Sequence, residues 1–427
     1  MLILAITFLI VSFVYALYVF SVKQMRLASN YTIFVFFSFI YSVFPALTVL
    51  GIEPKIWFEH WPLNESVLLV STHVAIVAAC LLIWAYVFHK RQRPLGSEAD
   101  TIEPAHKGAG AAMVFLLYMA MCAALIALGA KYSYHSAGLS EMGHSGMSKA
   151  KVLLASVYVL YMARYGVDRR LVLMFFGFVA LLLVEHSRWY FVSVLLATGF
   201  YLQNTRRITN RQVLIIGLIF LLLLSYVGLY RCQVPLTSFS LLLNPIFMEG
   251  DYGSYMVLQT YDVLYQGHMK FCTMFLDYLV DPAIYLLPRT IFISDNVDKE
   301  TVGVFPYFVS SHEQYWGRKY APTGGFNYLA QASSAFPFGG PLIITWLFAL
   351  LTVWMDNKRN KSSLWHLTYY LYSAGFMFVF IKTRFDMTIN YYVTLSVPAY
   401  MLYYIITHRR LRLALNPGSI HSVASES

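Results

Sequence analysis

The chain has 427 residues, of which 59% are hydrophobic, 17% aromatic and only 12% charged, with a formal charge of +10. An average soluble protein carries about 25% charged residues, and a mean hydropathy of +0.59 excludes a disordered, fibrous or disulfide-scaffold chain. The basic residues stand in short clusters between apolar runs, where they set membrane topology, so nucleic acid is set aside as a partner.

Apolar runs bounded by charge predict spans at 2–22, 31–51, 66–88, 109–130, 150–167, 171–185, 189–203, 212–230, 335–355, 363–381 and 388–407. Lipid offers the backbone no hydrogen-bonding partner, so these eleven must be helices, and the alternation of an outer-membrane barrel is absent. The expectation is an all-α polytopic membrane protein of about eleven (10–12) transmembrane helices, with one large external loop holding short amphipathic helices. The pair 171–185 and 189–203 is short for a bilayer. Four regions follow: an N-terminal bundle of about eight spans over 1–230, the external loop 231–334, three C-terminal spans over 335–407, and a tail 408–427. The apolar N-terminus lacks a small-residue cleavage site and is read as a first span or uncleaved anchor.

Orientation follows from Lys and Arg counted loop by loop. One side collects Lys23/Arg26, Lys90/Arg91/Arg93/Lys107, Arg164/Arg169/Arg170, Arg206/Arg207/Arg211, Lys358/Arg359/Lys361 and Arg409/Arg410/Arg412, which is 18 of the 31. The other side keeps 13, six of them in segment 231–334. The first side is expected to be cytoplasmic, with the C-terminus inside, the N-terminus outside and 231–334 exported.

A segment that long is rarely a simple connection. Tyr252–Tyr285 places Tyr255, Leu258, Tyr261, Val263, Leu264, Phe271, Met274, Phe275 and Tyr278 at near-helical spacing, which predicts one or two amphipathic helices on the membrane face. Pro- and Gly-rich coil follows at Asp281-Pro282, Leu287-Pro288-Arg289, Phe305-Pro306-Tyr307 and Ala321-Pro322-Thr323-Gly324-Gly325. Nine acidic residues against six basic ones agree with export. Cys80 and Cys122 fall inside spans as packing residues, whereas Cys232 and Cys272 share the exported segment and are open to pairing in an oxidising compartment. No Cys-x-x-Cys pair or His-Glu-x-x-His helix occurs, so neither a metal nor any other cofactor is expected.

Several charges break the positive-inside pattern. Arg188 follows Glu185-His186-Ser187, Arg231 ends the eighth span, Arg289 follows Leu-Pro, and Lys382/Arg384 lie between the last two spans. Charge at a membrane boundary is costly and tends to line polar cavities, and converging guanidinium forks hold phosphate oxygens bidentately. A pyrophosphate on a lipid carrier fits such a site. Snorkelling to headgroups, or ion pairs such as Glu185–Arg188 and Arg384–Asp386, is the alternative. His312 in Ser310-Ser311-His312-Glu313 is either an exposed loop histidine or a proton acceptor, with His186 and His268 as weaker candidates.

These features resemble the bacterial O-antigen and related oligosaccharide repeat-unit polymerases (Wzy-type). His186-Ser187-Arg188-Trp189-Tyr190-Phe191 looks like the Ser-Arg opening of a helix typical of that family and of O-antigen ligases. The large external loop with Leu287-Pro288-Arg289 precedes the last three spans, as in that family. Ala321-Pro322-Thr323-Gly324-Gly325, then Phe326-Asn327-Tyr328 and Phe336-Pro337-Phe338-Gly339-Gly340-Pro341, resembles the family's polar-Gly turn, Tyr and Phe-Gly-x-x-Gly run. Where family members commonly place a Glu before that Tyr, this chain has Asn327, and Glu313 is the nearest acid upstream.

The resemblance implies a metal-independent inverting transferase of the bacterial inner membrane. It would move a growing glycan from polyprenyl pyrophosphate onto the nonreducing-end sugar of another lipid-linked repeat unit. Arg188, Arg231, Arg289 and Arg384 would bind pyrophosphate, with His312 as base and Glu313 as its orienting partner. Implied partners are the polyprenyl-pyrophosphate-linked oligosaccharide, membrane lipid, and a chain-length regulator and flippase of the same pathway. An O-antigen ligase shares this architecture with a different acceptor, and a flippase for the same units is the rival of another class. Transporters usually show internal repeats, and none is found between the halves here.

Overall fold

The structure, a computed structural model, describes residues 1–51, 66–93, 102, 104–129, 145–185, 188–231, 236–237, 242, 244–266, 283, 327–383 and 385–415. In chain order the helices are α1 (Leu2–Val22), α2 (Asn30–Val49), α3 (Val67–Arg91), α4 (Ala109–Gly129), α5 (Ser145–Tyr165), α6 (Arg169–Glu185), α7 (Arg188–Asn204), α8 (Asn210–Arg231) and α9 (Asn244–Tyr265). There follow α10 (Tyr328–Ala335), α11 (Gly339–Lys358), α12 and α13 (Phe385–Leu415). Helix α12 runs Ser363–Leu371, continues as a π segment Tyr372–Met377 and ends in Phe378–Lys382.

Each of the eleven predicted spans coincides with a helix. Among the described residues, α1, α2, α3, α11, residues Ala109–Ala127 of α4 and residues Ser363–Ile381 of α12 are long and apolar enough to cross a membrane. These six make the chain an all-α, multi-pass membrane protein by length and composition. On α1 the side chains of Ile3, Leu4, Ile10, Val11, Val14 and Leu17 are exposed, an apolar strip that suits lipid rather than water. Cys80 and Cys122 are buried and free.

Local chemistry sets where the helices begin. Ser29, Ser66 and Ser362 each accept a hydrogen bond from a first-turn backbone N–H, at Thr32, Leu69 and Trp365. Thr209 and Gln212 form a reciprocal capping box at the start of α8, with bonds of 2.8 and 3.4 Å.

The helices fall into two compact units. The first comprises Met1–Ile102 and Leu195–Tyr392, the second Glu103–Val194 and Val393–Ser427. In the first, α1 and α11 pack on α3, and α2 packs on α3 and α9. Trp84 lies in its core, stacked on Phe34 at 4.2 Å, and Phe380 links Tyr328 at 4.8 Å to Phe348 at 3.8 Å. The loops of this unit counted on the basic side meet at one end. Arg26 Nη1 donates to Asn204 Oδ1 (2.8 Å), the Ala28 N–H to Gln203 Oε1 (2.5 Å), the Arg93 N–H to Asn357 Oδ1 (3.4 Å), and Asn357 Nδ2 to the Arg91 carbonyl (3.1 Å).

Segment 231–334 was expected to place its amphipathic helix on the membrane face. Helix α9 is instead a core element, with residues 253–261 all buried. Gly253 allows this, because a Cβ there would stand 2.8 Å from the Tyr41 ring of α2. Residues 267–282 and 284–285 of the predicted amphipathic stretch lie outside the described residues, as do Cys232 and Cys272.

The second unit is built on α4, α5 and α6, with Tyr118 donating to the Met174 carbonyl at 2.9 Å and Ser156 donating to the Leu395 carbonyl of α13. Asp168 caps α6: its Oδ1 accepts from the Leu171 N–H at 2.9 Å, and its Oδ2 from the Tyr161 hydroxyl at 2.9 Å with Lys107 at 3.5 Å. Burial acts to raise the Asp168 carboxyl, but the Leu171 N–H, the Tyr161 hydroxyl and Lys107 outweigh it and hold it below its ordinary 3.8.

Two expectations follow. A Cβ at Gly340 would stand 1.9 Å from the Ala332 carbonyl oxygen, whereas one at Gly217 meets nothing within 4 Å. Gly340→Ala is therefore expected to cost about 3 kcal/mol and lower the yield of monodisperse protein, with Gly217→Ala neutral within about 0.5 kcal/mol, as read by thermal melting and size exclusion. A depressed carboxyl contributes stability that is present above its unfolded value and lost as pH falls through the folded one. Melting midpoints taken downward from pH 6 should hold to near the ordinary value of 3.8 and then fall, and Asp168→Asn should remove that component of the slope.

Candidate functional site

The described part of segment 231–334 that meets the bundle is organised by one proline. Pro45 lies inside α2 and has no N–H, so the carbonyl four residues back, that of Tyr41, loses its regular helical donor. Two side chains from other helices supply it. Ser254 Oγ of α9 donates at 2.7 Å and His73 Nε2 of α3 at 2.9 Å. Because a carbonyl only accepts, Nε2 carries the proton, and the buried Nδ1 is left as an acceptor without a hydrogen-bond partner. His73 and Ser254 are fully buried.

Asn327 joins α10 to the same cluster. Its Oδ1 caps α10 through the Ala330 N–H at 3.1 Å, and its Nδ2 donates to the Gly253 carbonyl at 3.1 Å. The residue that stands where the resembling family places a Glu thus has both ends of its side chain committed to backbone. Beyond it, Gln331 Oε1 accepts from the Phe385 N–H at 2.7 Å, and Ser333 Oγ reaches the Tyr261 hydroxyl at 3.5 Å. The Phe-Gly-Gly run has a packing reason: Gly339 and Gly340 allow α11 to start against Phe336 and the Ala332 backbone, with Phe338 at φ +58 in the turn.

A second buried polar layer lies at the basic end of the first unit. Arg26, Asn30, Asn204, Asp356 and Arg359 are all at most 9% exposed, far below what surface topology charges need. Asp356 lies against Arg359, Asn30 and Tyr369, and one of its carboxylate oxygens has no hydrogen-bond partner. Asn30 Nδ2 donates to Ser373 Oγ at 3.0 Å, and Ser373 donates in turn to the Tyr369 carbonyl at 2.9 Å. Ser373 belongs to the π segment, which the Tyr372 hydroxyl also ties to Thr352 Oγ1 of α11 at 2.7 Å. π turns inside α-helices are frequent at functional sites.

Of the residues singled out from sequence, Arg188 is the first residue of α7 and Arg231 the last of α8. Their side chains lie outside the described set, and so do Arg289, His312, Glu313 and Arg384, together with His186 and His268. Among the described residues no group of three or more His, Cys, Asp or Glu is placed to hold a metal ion. No protein-family model, curated protein or solved structure matches the chain.

Sequence reasoning missed His73, Ser254, Gln331 and the Asp356–Arg359–Asn30 layer. A signal was present for the Tyr41 cluster, because Pro45 four residues after Tyr41 predicts a carbonyl in need of a donor; the capping role of Asn327 was also readable from its place before Tyr-Leu-Ala. Asn327→Ala should cost about 2 kcal/mol by removing the cap and stranding a buried carbonyl, whereas Asn327→Ser, which keeps a capping oxygen, should cost about 1 kcal/mol. Thermal midpoints of the two variants against wild type check the order.

Proposed function

We propose that this protein polymerises lipid-linked oligosaccharide repeat units, transferring the growing glycan from polyprenyl pyrophosphate to the nonreducing end of another unit on the external face of a bacterial inner membrane. The observation that carries the reading is the placement of arginine. Arg188 opens α7 and Arg231 closes α8, each at the helix end away from the basic turn 205–209 that connects them. Arg289 and Arg384 also fall in segments assigned to the exported side by the charge count. Topology requires none of these four, and an arginine at a span boundary that neither snorkels nor pairs with an acid is best accommodated by an anion it can hold.

The chemistry suits that set. Breaking the anomeric bond to pyrophosphate builds charge on the leaving phosphate, and preorganised guanidinium donors stabilise that charge most effectively where water is excluded. A base at the acceptor hydroxyl removes its proton as the new glycosidic bond forms; His312, oriented by Glu313, is assigned that task. The long segment between α8 and α11 serves to hold two bulky lipid-linked substrates in register, which removes much of the entropic barrier. The basic loops, gathered at one end within the first unit, are assigned to the cytoplasm, so the transfer occurs at the opposite end.

Glycan ladders on gels test the reading in cells lacking the gene, complemented with wild type, Arg188→Ala or Arg289→Ala. Single repeats in the deletion strain, restored to a ladder by wild type and not by either variant at equal expression, are the expected result. Polymer accumulating on the lipid carrier without surface glycan identifies a ligase, single units retained in the cytoplasm identify a flippase, and an unchanged ladder rules out all three.

A further inference from the structure

The turn between α5 and α6 in the second unit holds more cationic donors than the described residues around it satisfy. Lys107, Arg164, Arg169 and Arg170 stand at this end, and among the described residues Asp168 is the one carboxylate bonded to any of them. Both its oxygens are already taken by the Leu171 N–H, the Tyr161 hydroxyl and Lys107. Arg164 donates from Nη1 to Thr407 at 3.1 Å and lies over the rings of Tyr403 (5.1 Å) and Tyr165 (5.8 Å), but its buried Nε has no acceptor. Arg170 faces the Tyr161 hydroxyl, and its Nη1 is likewise buried without one. Arg169 and Arg170 also occupy the first turn of α6, where the helix dipole disfavours cations.

We infer that this turn binds the phosphate of an anionic phospholipid headgroup. Positive-inside topology accounts for cations at such an end, yet it needs only their charge and leaves two buried guanidinium N–H groups without acceptors. A phosphate diester supplies unprotonated oxygens and one negative charge to three arginines that have no carboxylate partner among the described residues. A lipid is favoured over a free anion by position: Lys107 lies two residues before the candidate span Ala109–Ala127, and Arg164 is flanked by tyrosine rings that suit the boundary between headgroup and acyl chain. The site does not depend on the proposed glycosyl transfer.

The test uses the full chain in nanodiscs of phosphatidylcholine alone, phosphatidylcholine with phosphatidylglycerol, or phosphatidylcholine with millimolar inorganic phosphate. Phosphatidylglycerol should raise the melting midpoint by about 3 °C and be retained in native mass spectra. The double variant Arg164→Gln/Arg170→Gln should lose about tenfold of the retained lipid with its phosphatidylcholine melting unchanged. Lys361→Gln, at an exposed residue of the first unit, should retain the full effect. If the double variant does not fold, Arg170→Lys carries the test, since it keeps the charge but not the planar fork and should retain less lipid than wild type. Equal melting in both lipids, an equal rise with phosphate alone, full lipid retention by the Arg variants, or an equal loss in Lys361→Gln would each overturn the assignment.

Discussion

A backbone carbonyl inside a lipid bilayer must find its hydrogen bond within the protein, and the carbonyl of Tyr41 is the point at which this requirement shapes the first unit. Pro45 takes away its helical donor, so donors come from α3 through His73 and from α9 through Ser254. This one acceptor therefore ties α2 to the next helix, α3, and to the sequence-distant α9. Gly253, next to Ser254, brings α9 close enough to reach it, and the Gly253 carbonyl in turn receives Asn327, which starts α10. A segment between two groups of spans is in this way anchored into the bundle by polar contacts to backbone, each worth more where no water competes.

The basic end is held by the opposite strategy. There the loops are joined by side-chain amides, with Gln203, Asn204, Asn210 and Asn357 bonding the turns of neighbouring helices. Amides suit this position because each offers a donor and an acceptor without carrying charge into the boundary. The charged members behave differently. Arg26 and Arg359 are buried beneath that surface, where Arg26 donates to Asn204 and Arg359 lies beside Asp356.

The helices were legible in the sequence because apolar run length is a direct consequence of bilayer thickness, and α1, α3 and α4 begin and end close to where the runs do. The clustering of basic loops within the first unit was legible for the same reason, since antiparallel neighbours with short turns return alternate loops to one end. What the sequence hid was the use of individual polar residues. Arg359 reads as a topology charge until its burial is seen, and α9 reads as amphipathic because its aromatic residues have helical spacing, although residues 253–261 are buried on every face. Periodicity reports a helix but not how many neighbours surround it. The legibility of the proposed site is of another kind: Arg188 and Arg231 stood out by breaking a charge rule, and a broken rule marks a residue without fixing what it touches.

Asn327 shows why motif and role must be separated. The run from Asn327 to Pro341 is one part of what resembles the polymerases, yet its best-defined features have packing causes: an N-cap, a buried donor to Gly253, and two glycines that allow α11 to begin against the α10 backbone. A Glu in the same place would add a methylene, which alters the reach of the cap, and its ionised carboxylate has no N–H to give the Gly253 carbonyl. The position is therefore used here to build the scaffold. Under the proposed glycosyl transfer that exchange would be tolerable, because guanidinium groups would stabilise a leaving pyrophosphate without giving up a proton, and a single base would suffice for the acceptor hydroxyl.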